Sequence, residues 1–153
     1  MRVRLAAAGL AALLAAPALG LDQDQAVKVA ETRQAVLKVV GWNVGSMGAM
    51  AKDLIPWDEA LFARNARRVA WMTTMIPDAF RTDTSQMSLE TEAKPLIWQD
   101  FARFEELAGN VRASAEALVE IAADGDEEAT RKAFLAMADD CKACHDRFRD
   151  KKE

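Results

Sequence analysis

Apolar positions recur at intervals of three and four along four stretches of the chain. Between residues 24 and 52 they are Ala26, Ala30, Leu37, Val40, Val44 and Met47, with Arg33 as the one polar member of the stripe. Between 57 and 76 they are Phe62, Ala66, Val69, Met72 and Ile76. Between 95 and 123 the series runs Ile97, Phe101, Phe104, Ala108, Val111, Ala115, Leu118 and Ala122. Between 126 and 149 it runs Phe134, Met137, Cys141, then Cys144 or His145, then Phe148. This spacing gathers the apolar side chains on one face of a helix, and no period-two alternation competes with it. The breaks agree. Pro56 precedes the second stretch, Pro77 falls at its end, and Pro95 suits the first turn of the third. Asp124-Gly125-Asp126 ends the third helix and caps the fourth. Four long helices with two short links predict an all-α, antiparallel four-helix bundle. The link over 78–94 is longer, and loops of that length are often functional.

Composition supports helix and narrows the partners. The 153 residues are 51 % hydrophobic and 29 % charged, enough for one domain with a sizeable core and too apolar for a disordered chain. Alanine is abundant, while Gly (7) and Pro (4) are too few for the many turns of a β-sandwich. The net charge of −4 makes nucleic acid a poor partner.

Residues 1–20 read as a leader. Arg2 and Arg4 precede an apolar run from Leu5 to Ala16, Pro17 breaks it, and Ala18-Leu19-Gly20 offers small residues to a signal peptidase. The apolar run is short for a membrane span, which needs roughly 20 residues, and no later stretch is long and apolar enough. Cleavage after Gly20 leaves residues 21–153 as an exported domain, periplasmic in a bacterium. That domain has 18 basic and 24 acidic residues, a net charge of −6.

The chemistry is concentrated in Cys141-Lys142-Ala143-Cys144-His145, a C-x-x-C-H sequence of the kind that attaches haem covalently. On a helix at about 100° per residue, Cys144 lies about 60° to one side of Cys141 and His145 about 40° to the other. Two thiols on one face can add to the two vinyl groups of a haem, and the imidazole beside them can reach the iron. Three other readings exist. A redox Cys-x-x-Cys usually opens a helix in a βαβ setting, whereas this one sits near the end of the last helix. A structural zinc site needs four ligands, and the chain holds no other Cys or His. An ordinary disulfide of an exported protein is the third.

A helical bundle with C-x-x-C-H on its last helix resembles cytochrome c′ and its low-spin relatives. The segment Cys-Lys-Ala-Cys-His-Asp-Arg-Phe-Arg-Asp-Lys-Lys is similar to the C-terminus of that family. So are the pair Arg33-Gln34 on the first helix and Pro95-Leu96-Ile97-Trp98 at the start of the third. The resemblance extends over residues 22–153. It implies one covalently bound haem c, held by Cys141 and Cys144, with His145 as the axial iron ligand. It also implies that Arg33 and Gln34 lie near a haem propionate, that Arg149 lies beside the proximal face, and that Glu92 matches an acidic position near the haem. For Arg33 the alternative is a cation that snorkels from an apolar stripe to solvent. For Arg149 it is exposed terminal charge. The residue four after Arg33 separates the subclasses. Low-spin relatives carry a ligating Met there, and cytochromes c′ a nonligating apolar residue. Here it is Leu37, which has no donor atom.

The resemblance therefore implies a five-coordinate, high-spin iron that binds NO or CO at an open axial position beneath Leu37, with electron transfer as a companion role. The alternative is a six-coordinate, low-spin electron carrier with a Met sixth ligand from among Met72, Met75, Met87 and Met137, which otherwise read as core filler. An enzyme of peroxidase type would need distal acid–base groups, and the only His is already assigned. No particular redox partner is implied. The family is commonly a homodimer through its first two helices, and Trp42, Trp57, Trp71 and Trp98 read as core or dimer contacts.

Overall fold

The computed structural model describes residues 20–150. The expected leader, residues 1–20, lies outside the described residues apart from Gly20. Six helices follow in order: α1 (Gln23–Ala51), α2 (Glu59–Thr73), α3 (Ile76–Phe80), α4 (Leu96–Gln99), α5 (Phe101–Ala123) and α6 (Glu127–Phe148). The four long ones form the bundle and the two short ones close one end of it.

Side chains fix the starts of three long helices. Asp22 and Gln25 make a reciprocal capping box on α1, in which Asp22 Oδ1 accepts from Gln25 N at 2.8 Å and Gln25 Oε1 accepts from Asp22 N at 3.1 Å. Asp58 and Asp126 each accept a bond from the third backbone N–H of the helix they cap. Gly125 takes φ +74° between α5 and α6, the left-handed conformation that costs glycine least.

Two expected helices are shorter than their stripes. The second ends at Thr73, and Ile76 belongs to α3, with Pro77 in its first turn. The third is split at Asp100 (φ −135°, ψ 53°), so Ile97 lies on α4 and Phe101 starts α5. Nothing local marks that break, but the Asp100 carboxylate holds Arg147 of α6 at 2.5 Å.

Two cores fill the molecule. The first draws on all four long helices, with Met47, Phe62, Leu118 and Met137 at its centre. The second, at the other end, joins Val36 of α1 to Phe80, Ile97, Phe104 and Phe148. Val36, rather than Leu37, continues the inner stripe of α1, and Leu37 lies at its edge, 36 % exposed. Helices α1 and α2, α2 and α5, and α5 and α6 are closely packed. The fourth edge, between α1 and α6, is thin.

Candidate haem site

The thin edge is bridged near the end of α1. There Arg131 of α6 donates to the Met50 carbonyl at 2.8 Å, and a side chain added at Gly48 would sit 3.6 Å from the Phe134 ring. The helices run antiparallel from there. Leu37 is eleven residues before Gly48, and His145 is eleven after Phe134. Eleven residues are three turns and about 20°, or roughly 16 Å, so Leu37 and His145 stand at one level on facing sides of α1 and α6.

On α6, Cys141 and Cys144 are half-buried and His145 is exposed, all within one turn. Cys144 packs against the second core. Both thiols are free. Burial, reinforced by the Asp140 carboxylate, raises the Cys141 pKa, and burial with Cys141 nearby pushes Cys144 up to about 11. Neither is the low-pKa thiol of a redox Cys-x-x-Cys, so that reading finds no support here. Although the residue is exposed overall, partial desolvation of its ring lowers the His145 pKa and Arg149 adds to this, while Asp146 and Glu92 oppose it. The imidazole is thus biased toward the neutral form that ligates metal.

Arg33 does not snorkel. It is 4 % exposed, with its guanidinium carbon 5.3 Å from the Phe80 ring centroid and 5.0 Å from that of Trp98. Its Nη2 donates to Thr84 Oγ1 at 2.6 Å. Its buried Nη1 has no hydrogen-bond partner, and no carboxylate pairs with Arg33 among the described residues. Burial lowers its pKa and the field of Asp83 opposes this, yet a guanidinium stays charged in proteins. A buried, unpaired charge costs several kcal/mol, roughly, unless an anion completes it.

The 81–94 segment straps this end. Gln34 Nε2 donates to the Glu90 carbonyl at 3.0 Å, and Gln23 Nε2 to that of Ser88 at 2.8 Å. Lys94 N donates to Phe148 O at 3.0 Å and Asp150 N to Glu92 O at 2.7 Å. Glu92 and Arg149, both expected near the haem, form an ion pair. Sequence reasoning missed Phe80, Thr84 and Asp83 as neighbours of Arg33. It placed Trp98 only in a core or a dimer contact. Among the other tryptophans, Trp57 stacks on Phe62 at the edge of the first core, whereas Trp42 and Trp71 are exposed.

These residues fit a haem. Two thiols and an imidazole line one wall of the thin edge, an apolar side chain lines the other, and an orphaned guanidinium nitrogen awaits an anion. The fold and the motif define the class: a helical bundle carrying a C-x-x-C-H haem-attachment sequence on its last helix. Comparison with known proteins narrows this. The family profile described as Cytochrome C' matches residues 28–149. The chain is 36 % identical over 121 residues to cytochrome c' of Halomonas halodenitrificans, covering 76 % of this chain and 92 % of that one. Cytochrome c prime from Shewanella frigidimarina superposes with a TM-score of 0.75 at 32 % identity, covering 81 % of this chain and 95 % of the other. The nitric oxide complex of a leucine-to-alanine variant of cytochrome c prime from Alcaligenes xylosoxidans superposes with a TM-score of 0.73 at 28 % identity, covering 82 % and 95 %. The chain belongs to the cytochrome c′ family, whose prosthetic group is a covalently bound haem c.

Proposed function

We propose that this chain is an exported, periplasmic haem protein that binds nitric oxide and carbon monoxide at an open axial position and also passes electrons. Cys141 and Cys144 hold the haem through thioethers, and His145 is the axial ligand from the protein. Arg33 and Gln34 face a propionate. Haem iron supplies the ligand-binding and redox chemistry.

The observation that carries the reading is the level placement of Leu37 opposite His145, because a leucine there offers no sixth ligand. The nitric oxide complex of the Alcaligenes relative supports the choice of ligand. Leu37 also offers no hydrogen bond to polarised O₂, which favours NO and CO over O₂. The Met-ligated alternative has less support, since Met137 is fully buried in the first core and Met75 is exposed in the turn after α2. The one His lies on the proximal side, so the protein is read as a carrier and binder rather than an enzyme. Trp42 on α1 (71 %) and Trp71 on α2 (75 %) are both large and exposed, and this supports a homodimer through those helices.

The test is the optical spectrum of the purified ferrous protein with and without NO, combined with the intact mass. A high-spin five-coordinate spectrum that changes with NO, and a mass of the mature chain plus one haem, are expected. A low-spin spectrum indifferent to NO would overturn the reading, and so would a chain without haem mass.

A further inference from the structure

Arg33 is held on more sides than a salt bridge needs. Phe80 and Trp98 lie within 5.3 Å and 5.0 Å of its guanidinium carbon, close enough for cation–π attraction from both rings. Trp98 is itself fixed, because its Nε1 donates to the Phe80 carbonyl at 2.9 Å. Thr84, buried in the strap, takes Nη2 at 2.6 Å. The two rings and the hydroxyl leave Nη1 buried without a hydrogen-bond partner. A flexible arginine would lose much side-chain entropy on meeting an anion, and a guanidinium already immobilised has lost it beforehand.

We propose that Trp98, Phe80 and Thr84 are positioning residues that hold Arg33 in a preformed socket, leaving Nη1 for a haem propionate. This rests on the reading of Arg33 as the propionate partner. The socket spans three parts of the chain: α3 supplies Phe80, the strap supplies Thr84 and α4 supplies Trp98. The short helices at this end thereby reach the haem through Arg33. A cation held beside the carboxylate offsets its negative charge and favours the reduced iron. Releasing the cation lowers the reduction potential and weakens hydrogen bonding to the propionate.

The experiment compares holoprotein variants by reduction potential and by the propionate bending band in resonance Raman spectra, which rises with hydrogen bonding to the carboxylate. Arg33→Leu should lower both. Trp98→Leu should lower both in the same direction and add little when combined with Arg33→Leu. Trp98→Phe keeps a ring over the guanidinium and should stay near the parent values. Thr84→Val, a nearly isosteric change, should give a smaller shift of the same sign and serves if Trp98→Leu does not fold. If Arg33→Leu shifts both readouts while Trp98→Leu and Thr84→Val shift neither, the socket is overturned and the Arg33 reading stands. If Trp98→Leu fails to fold, an unshifted Thr84→Val overturns the socket alone. If Arg33→Leu itself shifts neither readout, the propionate assignment falls first.

Discussion

Arg149 Nε lies 2.5 Å from Glu92 Oε2, so the residue one turn past His145 is paired with the end of the strap. Two backbone bonds flank the pair, Lys94 N to Phe148 O and Asp150 N to Glu92 O. The strap and the end of α6 are therefore tied by both main chain and side chain. The pair is partly exposed and screened, which limits its worth to about 1 kcal/mol or less. Glu92→Gln should destabilise the protein by no more than that, and by less at high salt, when followed by urea unfolding. A loss several times larger would mean that the pair, and not the backbone bridge, holds the strap.

Leu37 is the test of the open position. Leu37→Ala removes a branched side chain that an incoming ligand must displace, and full burial of a leucine is worth roughly 1.5–3 kcal/mol. Leu37 is already 36 % exposed, so the lower end applies and CO affinity should rise about tenfold. Leu37→Met should turn the spectrum low-spin. Unchanged CO titrations in the first variant, with a high-spin spectrum in the second, would remove Leu37 from the iron site.

Met137 is fully buried in the first core, one turn before Cys141 on α6. Met137→Ala should cost about 2–5 kcal/mol of unfolding free energy. The haem spectrum of the folded variant should match the parent. A spectral change in Met137→Ala would place Met137 near the iron and revive a Met ligand.

Trp71 is 75 % exposed on the outward side of α2. A charge there should oppose association through that side. Trp71→Asp is expected to run as a monomer in sedimentation at concentrations where the parent is a dimer, with little change in its melting temperature. A dimer that survives in Trp71→Asp would mean another surface joins the copies.

The helices were legible because their signals are local. The 3–4 spacing and the Asp124-Gly125-Asp126 stop and cap placed α1, α5 and α6 to within a few residues of their ends, apart from the start of α5. The break at Asp100 was not legible, because its partner Arg147 is 47 positions away in sequence and no glycine or proline marks it. Ile76 fell on the expected stripe by spacing alone, although the turn at Thr74–Met75 moves it to a separate helix. The three motif residues were legible because their meaning lies in adjacent positions. Around Arg33, the sequence showed one odd cation on an apolar face. The residues that immobilise it, at positions 80, 84 and 98, come from short elements whose course is set by tertiary packing.

The two cores give the molecule an unequal resistance to opening. The first interlocks all four long helices, whereas α6 enters the second through Phe148, with Cys144 at its border. Amide protons around Met47, Phe62, Leu118 and Met137 should therefore exchange only when the whole chain unfolds. Those of α3, α4 and the strap exchange through smaller, local excursions. A chain divided in this way can assemble its helices at one pole while the other stays accessible, and admit a large rigid group there without undoing what has already formed.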